Sequence, residues 1–364
     1  MTSSQLSSAT APAPAGPAPF RPFVSVLMPV RNEAAFIARS VGAVLAQDYP
    51  SDRVEIMVAD GRSTDSTRSV VRALSQNDAR LRLVDNPAGI VATGLNCAMR
   101  EARGEVIVRV DGHCEIAPDY VSRCVAHLGT GAIDGVGGPL ETIGLTPRAA
   151  AIAAAMSSWF GVGGSAFRTI RDRSLLTDTV AFPGYTRAAM ARAGDFDEEL
   201  VRNQDDEYNY RLRKMGARIL LAADVRARYY SRSTFASLWR QYLQYGYWKV
   251  RVMQKHPLQM QPRHFAPALF VAALGAALVL AALFPAGRVL AAAMLAAYAA
   301  ATAAAVVLVR RQHAVQAWWL LPAAFATLHL SYGTGMLIGL VKFARRWRRN
   351  DAPAATHPAT ADVR

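Results

Sequence analysis

The sequence predicts an α/β domain built on a parallel sheet, followed by a helical membrane region. Strand–helix–strand units in the N-terminal part predict the sheet, and three long apolar runs near the C-terminus predict the membrane helices. The chain of 364 residues is 52% apolar and carries 41 Lys+Arg against 27 Asp+Glu. This composition excludes a wholly disordered protein. Three cysteines at irregular spacing exclude a disulfide framework and fit a reducing compartment.

The first elements alternate as a parallel sheet requires. Residues 1–20 carry no charge and no apolar core, so we expect a disordered tail rather than a secretory signal. A strand is expected over 23–28. Apolar residues at helical spacing predict a helix within 33–47, and a second apolar run predicts a strand over 54–59 that ends at Asp60.

The same pattern then repeats, with a helix at 65–74, a strand at 81–84, a helix at 92–102 and a strand at 105–110. Ligand sites in open α/β sheets lie at the carboxyl ends of strands. Asp60 and Asp111 both follow strands directly and are candidate binding residues. Further helices are expected over 203–215 and 235–252, whereas the Ala-rich run at 149–156 is too short for a membrane span.

Three apolar segments, 265–284, 289–309 and 317–341, are each long enough to cross about 30 Å of hydrocarbon. Basic residues flank them, which indicates an anionic membrane surface rather than nucleic acid. Three full crossings would place the basic residues 342–349 outside, against the positive-inside rule. The third segment is therefore the candidate for a re-entrant or interfacial helix. The predicted organisation is a tail at 1–20, an α/β domain at 21–257, a membrane region at 258–345 and a basic, then disordered tail at 346–364.

Two motifs carry a resemblance to a known family. Residues 26–33 read VLMPVRNE and residues 58–67 read VADGRSTDST. They resemble the opening of the family 2 glycosyltransferases, in which a Pro-x-x-Asn-Glu turn precedes an Asp-Gly-Ser-Thr-Asp loop. The resemblance implies the GT-A fold, a Rossmann-like sheet that binds a nucleotide-sugar, with a pocket formed by Pro29, Arg31, Glu33 and Asp60. The alternative is that Asp60 only closes a turn.

The family resemblance extends to a metal site. Asp111-Gly112-His113 stands where these enzymes carry Asp-x-Asp. This implies that Asp111 and His113 hold a divalent cation, Mn²⁺ or Mg²⁺, which stabilises a leaving diphosphate, and the imidazole favours Mn²⁺. The resemblance also implies that Asn96 approaches the nucleotide and that Asp178 lies near donor or acceptor. The alternatives that stay open are an exposed polar residue without a ligand for Asn96 and a loop-capping role for Asp178.

Residues 203–213, NQDDEYNYRLR, are the most informative segment. Direct displacement at a sugar needs a carboxylate that deprotonates the incoming hydroxyl. The family supplies it from a Glu-Asp pair about six residues before an Arg. This spacing implies Asp205 as the base and Asp206 as the second candidate. Acidic residues in a first helical turn also favour the helix dipole, which is the alternative.

A basic and aromatic stretch precedes the first apolar segment. Aromatic faces stack on sugars and Arg binds diphosphate, so Arg240, Gln241, Tyr242 and Trp248 are candidates for acceptor or diphosphate binding. An interfacial aromatic belt is the alternative. Residues 159–163, 177–184 and 202–207 further resemble the glucosyltransferases of succinoglycan exopolysaccharide synthesis, whose acceptor is a sugar on a polyprenyl diphosphate.

The resemblance implies an inverting, metal-dependent hexosyltransferase that uses UDP-glucose and a polyprenyl-linked glycan at the cytoplasmic face of the cell membrane. Polysaccharide-assembly proteins are possible partners, and nucleic acid is not expected. Three alternatives stay open: a polyprenyl-phosphate hexose synthase, a processive synthase, and an inactive nucleotide-sugar-binding scaffold. A processive synthase needs more membrane helices than three and an intact Gln-x-x-Arg-Trp element.

Overall fold

The computed structural model describes residues 20–348. The predicted tails at 1–20 and 346–364 therefore lie, apart from residue 20 and residues 346–348, outside the described residues. The strands are β1 (Val24–Val30), β2 (Val54–Asp60), β3 (Leu81–Asp85), β4 (Val106–Arg109), β5 (Cys114–Ile116), β6 (Gly135–Gly138), β7 (Leu140–Ile143), β8 (Leu175–Leu176), β9 (Ala181–Thr186), β10 (Ile219–Leu221) and β11 (Ala227–Tyr230).

The helices are α1 (Ile37–Leu45), α2 (Thr67–Asn77), α3 (Val91–Glu101), α4 (Tyr120–Leu128), α5 (Pro147–Met156), α6 (Trp159–Val162), α7 (Ala166–Thr169), α8 (Arg187–Ala193), α9 (Gln204–Lys214), α10 (Phe235–Lys255), α11 (Pro262–Leu283), α12 (Pro285–Gln312) and α13 (Leu321–Lys342). All predicted strands and helices of the N-terminal part are present, with ends shifted by a few residues.

The main sheet has the strand order β3-β2-β1-β4-β9-β6-β10-β8. Its β3-β2-β1-β4 half is parallel throughout, as the strand–helix–strand pattern predicts. The register pairs Val30 with Asp60, so the two predicted ligand loops leave the sheet side by side. A second sheet, β5-β11-β7, packs beyond the end of β4.

Helices cover both faces of the main sheet. In β1 the side chains alternate between faces: Val26 and Met28 join a core with α1 and α4, whereas Leu27 joins a second core with α3, α8 and α9. This two-sided burial explains why β1 and β2 are apolar at nearly every position. The predicted α/β sheet is therefore confirmed, and its carboxyl edge carries both candidate aspartates.

Three helices among the described residues, α11, α12 and α13, are long and apolar enough to cross a membrane. Only Phe284 separates α11 from α12, so these two helices form a tight hairpin. Most residues of α11 and α12 are exposed at the protein surface. In the most apolar 18-residue stretch of each helix, only 11% of the residues in α11 and 22% of those in α12 are buried. The corresponding share of α13 is 44%.

The burial of α13 comes from the α/β domain itself. Leu321 and Phe325 belong to the same apolar core as β1 and α5. Further along, a Cβ on Gly335 would lie 2.0 Å from the Leu243 carbonyl oxygen of α10, and one on Gly246 would lie 2.0 Å from that of Tyr332. Glycine is therefore required where the backbones of α10 and α13 approach each other.

Candidate active site

Hydrogen bonds connect the two motif loops, residues 29–33 and 60–67, at the carboxyl edge of β1 and β2. The backbone N–H of Asn32 donates to Ser63 Oγ at 2.9 Å, and that of Thr64 donates to Asn32 Oδ1 at 2.8 Å. Asn32 and Arg62 both have φ near 56°, a left-handed conformation that Asn tolerates well. These bonds hold the loops in one arrangement around Asp60.

Asp60 is fully buried at this edge. Its Oδ2 accepts hydrogen bonds from Arg68 at 3.1 Å and from the backbone N–H of Ser63 at 3.3 Å. Its Oδ1 has no partner within residues 20–348. A buried carboxylate oxygen without a donor is costly, so the site favours a ligand that brings an N–H group.

Nearby, the predicted residues Glu33 and His113 contact each other: His113 Nδ1 lies 2.8 Å from Glu33 Oε1. Arg31 is exposed and donates to the carbonyl oxygen of Gly89 at 3.2 Å, and Pro29 is buried at the end of β1. The two motif loops and the Asp111-Gly112-His113 turn thus share one edge of the sheet.

Asp111 and the predicted base Asp205 are linked by Arg109, which ends β4. The guanidinium of Arg109 lies 2.9 Å from Asp111 Oδ1 and 3.9 Å from Asp205 Oδ2. Burial would lower the pKa of Arg109, but the two carboxylates outweigh it and raise the pKa. Arg109 is therefore a charged bridge between the strand edge and the start of α9.

Asp205 and Asp206 have different surroundings in the first turn of α9. The Asp205 side chain is 43% exposed and its nearest cation is Arg109. Asp206 forms a close ion pair with Lys249 of α10, whose side chain is only 8% exposed. The carboxylate of Asp205 is thus the one available to an incoming molecule.

A cavity of about 550 Å³ begins at these two aspartates. It runs between α10 and the α6–α7 segment to the membrane-type helices α11, α12 and α13. It includes the predicted residues Asp178 and Tyr242. Its other charged and aromatic lining residues are Trp159, Phe160, Phe167, Arg168, Tyr245, Lys249, Arg263, His264, Phe270, Tyr298, His329 and Tyr332.

Comparison with known proteins identifies the family. A model of glycosyl transferase family 2 matches residues 25–193. The succinoglycan biosynthesis protein ExoA of Rhizobium meliloti (strain 1021) is 32% identical over 241 residues, 64% of this chain and 70% of that protein. The chain belongs to glycosyltransferase family 2.

Two further comparisons agree with this assignment. A second relative from Methanococcus voltae, named dolichyl N-acetyl-alpha-D-glucosaminyl phosphate 3-beta-D-2,3-diacetamido-2,3-dideoxy-beta-D-glucuronosyltransferase, is 26% identical over 64% of this chain and 74% of its own length. The mannosyltransferase PcManGT from Pyrobaculum calidifontis, solved with GDP-Man and Mn²⁺, shares the fold with a TM-score of 0.56 and 23% identity over 90% of both chains. The predicted family, GT-A fold and glycosyltransferase class are confirmed, and the apolar helices indicate membrane association.

Four of the predicted site residues, Asn96, Arg240, Gln241 and Trp248, make other contacts or lie outside the cavity in this chain. Asn96 is buried between α3 and the loop before α9, where it donates to the Phe196 carbonyl oxygen and accepts from the Phe196 N–H, both at 2.9 Å. Gln241 donates to the hydroxyls of Tyr229 and Tyr245. Arg240 is exposed outside the cavity lining, and Trp248 packs against Phe343 with ring centroids 5.9 Å apart.

The cavity instead contains cations that sequence reasoning missed. Arg168, Lys249 and Arg263 come from three separate segments, and the cavity brings them together. Arg263 pairs with Asp178 at 2.8 Å, which ties the start of α11 to the α/β domain. In the sequence Arg168 is marked by its aromatic neighbour Phe167, but Arg240 has such a neighbour in Trp239, so this signal does not separate the two.

Proposed function

We propose that this family 2 glycosyltransferase moves a hexose, with glucose from UDP-glucose as the expected donor, onto a polyprenyl-linked glycan with inversion at the anomeric carbon. The observation that carries the proposal is the half-exposed carboxylate of Asp205. It lies between the Asp111 edge of the sheet, reached through Arg109, and a cavity that extends to membrane-type helices. The similarity to ExoA and to a dolichyl-linked sugar transferase supports a lipid-linked acceptor.

In this mechanism Asp205 accepts the proton of the acceptor hydroxyl as its oxygen attacks the anomeric carbon. Arg109 orients Asp205 and Asp111. Asp206 is held by Lys249 and shapes the first turn of α9. Asp60 receives the nucleobase through its unpartnered Oδ1.

The proposed cation site uses Asp111 and His113. A carboxylate and an imidazole suit Mn²⁺, and because His113 Nδ1 contacts Glu33, Nε2 would be the nitrogen that faces the cation. No cluster of three or more His, Cys, Asp or Glu side chains occurs in the described range, so Asp111 and His113 would hold the cation together with groups of the bound donor. When bound, the cation neutralises the leaving diphosphate.

We further propose that α11 and α12 cross the membrane as a hairpin and that α13 lies at the cytoplasmic interface. Arg346, just after α13, forms an ion pair with Glu199 of the α/β domain. The two ends of the membrane region are then on one side, which also fits the positive-inside rule. A green fluorescent protein fused after residue 364 should fluoresce in cells, whereas an active alkaline phosphatase fusion at that position would overturn this topology.

The function is tested with full-length protein in nanodiscs, UDP-glucose, Mn²⁺ and a polyprenyl-diphosphate-linked hexose, by measuring released UDP and product anomer. Asp205→Asn should lower kcat by about 10²–10⁴-fold without changing the UDP-glucose Kd, and Asp206→Asn should lower kcat less. Donor binding without transfer to any lipid-linked sugar would refute the proposal. Transfer to polyprenyl phosphate that survives Asp205→Asn would favour the hexose synthase instead, since a phosphate nucleophile needs little base assistance.

A further inference from the structure

Arg168 of α7 is a cation of the cavity without a matching anion among the described residues. The other two cations are paired, Lys249 with Asp206 and Arg263 with Asp178. The guanidinium of Arg168 contacts the rings of Phe167 and Tyr229, with its central carbon 5.3 and 5.6 Å from their centroids. Its Nη1 is buried and has no hydrogen-bond partner between residues 20 and 348.

This arrangement points to an anion that comes from outside the chain. Aromatic contacts hold the guanidinium in place but leave its hydrogen bonds unused. A phosphate group matches a guanidinium in charge and in the geometry of its oxygens. A phosphate group is therefore a suitable ligand for the cationic part of the cavity.

The opposite end of the cavity is apolar. The rings of Phe270 in α11 and Tyr298 in α12 stack with centroids 4.8 Å apart. The polar groups of Tyr298 and His329 have partners there: Tyr298 OH contacts His329 Nδ1 at 2.9 Å, and His329 Nε2 contacts the Phe160 carbonyl oxygen at 2.8 Å. Since the carbonyl can only accept, Nε2 carries the proton and the Tyr298 hydroxyl donates to Nδ1. This end offers ring faces rather than hydrogen bonds.

We propose that the cavity binds the lipid end of the acceptor, a polyprenyl phosphate or diphosphate, with its phosphate on Arg168 and its first isoprenoid units against the stacked ring pair of Phe270 and Tyr298. The inference rests on the proposed function, because it adds a lipid site to the Asp205 end of the same cavity. A single isoprenoid chain fits one cavity of about 550 Å³, within the size range of sites for single small molecules. The walls α11 and α12 continue it into the proposed bilayer, where the rest of the chain would lie.

The test measures binding of farnesyl diphosphate to the full-length protein in nanodiscs. Arg168→Ala should weaken binding at least tenfold, and the control Arg173→Ala, an exposed arginine outside the cavity lining, should stay within twofold of wild type. Farnesol and inorganic diphosphate should each bind more weakly than farnesyl diphosphate. Equal affinity of the wild type and Arg168→Ala, or equal competition by phosphatidylglycerol vesicles, would overturn the inference.

A second variant tests the apolar end without removing a charge. Ala266 in α11 lines the cavity and is exposed, so Ala266→Phe should fill the cavity and weaken farnesyl diphosphate binding. Ala272→Phe should not, because Ala272 is exposed, lies outside the cavity lining and sits about 120° around the same helix from Ala266. Unchanged binding by Ala266→Phe would contradict the position given to the chain. UDP-glucose binding is measured on the same samples: its absence in wild type refutes the proposed donor, while its retention in Arg168→Ala separates the lipid site from the donor site.

Discussion

The unpartnered oxygen of Asp60 makes a sharp prediction about nucleobase recognition. The side chain is fully buried, Oδ2 is occupied by Arg68 and Ser63, and Oδ1 has no donor within the described chain. In Asp60→Asn the carbonyl oxygen keeps facing the Arg68 and Ser63 donors, so the new NH₂ group occupies the Oδ1 position. A uracil N3–H would then meet a donor instead of an acceptor.

The magnitude follows from the loss of one charge-assisted hydrogen bond. Such a bond contributes about 1.5–3 kcal/mol, which corresponds to about 10- to 150-fold in the Kd of UMP. Calorimetry with UMP and CMP measures both affinity and base preference. Wild type should prefer UMP, and Asp60→Asn should lose or reverse that preference, because cytosine N3 is an acceptor.

The matched control for this variant is Asp85→Asn. Asp85 pairs with the same Arg68, but its side chain is 72% exposed and lies across the guanidinium from Asp60. It removes the same formal charge and should change the UMP Kd by less than twofold. If Asp60→Asn binds UMP as tightly as this control, the assignment of Asp60 to the nucleobase is refuted.

Three other predictions concern stability and reactivity. Burial would raise the pKa of Glu199, but its ion pairs with Arg251 and Lys255 lower the pKa to about 2 from the ordinary 4.5. The ionised carboxylate therefore stabilises the fold fully above about pH 4.5, and this contribution is lost as the pH falls towards 2. Because the Glu199 side chain is one-third exposed, we expect its contribution to the free energy of unfolding to be about 1–2 kcal/mol. The melting temperatures of wild type and Glu199→Gln should therefore converge as the pH is lowered, and a difference that stays constant with pH would contradict this linkage. Because Asn96 hydrogen-bonds the backbone of Phe196, Asn96→Ala should destabilise the protein by about 2 kcal/mol and change the UDP-glucose Kd by less than twofold. Weaker donor binding at an unchanged melting temperature would instead indicate that Asn96 binds the nucleotide. Burial raises the pKa of the Cys114 and Cys124 thiols, so iodoacetamide at pH 8 should modify Cys97 alone in the native protein and all three after denaturation, as mass spectrometry would reveal.

The sequence predicts the parallel half of the sheet well because its signals are local. The strands β2, β3 and β4 are mainly apolar and end at or just before an Asp, β1 is apolar and ends at a Pro-x-x-Asn turn, and each intervening helix has its own apolar face. The small sheet lacks such signals: β5 and β11 have three and four residues and pair across more than a hundred positions of the chain. No local pattern in the sequence indicates that pairing.

The membrane region illustrates a second limit. An apolar run is compatible with a bilayer and with a protein core, so length and composition describe α13 in the same way as α11 and α12. What distinguishes α13 is the match between its glycines and the backbone of α10, as at Gly335 and Leu243. That match depends on two segments far apart in the chain, and only the folded structure reveals it.

The residues of the candidate site also differ in whether local sequence signals could locate them. Asp60, Asp111 and Asp205 follow strand ends or a helix start and could be located from spacing and family resemblance. Arg240 and Arg168 could not be ranked from sequence, since both are basic residues beside aromatic ones. Their exposure in the fold separates them: Arg240 faces outward on α10, and Arg168 lines the cavity.

The close contact between α10 and α13 bears on the order of events during synthesis. A growing chain generally folds its domains from the N-terminus as they emerge from the ribosome. Here the core of the α/β domain includes Leu321 and Phe325 of α13, a helix that is synthesised after the α11–α12 hairpin. The packing that positions Lys249 of α10 and Asp205 of α9 would therefore be completed only after the hairpin has left the ribosome and, in the proposed topology, entered the bilayer. With the proposed topology and acceptor, the cavity would then form only after the chain has reached the membrane in which the acceptor lies.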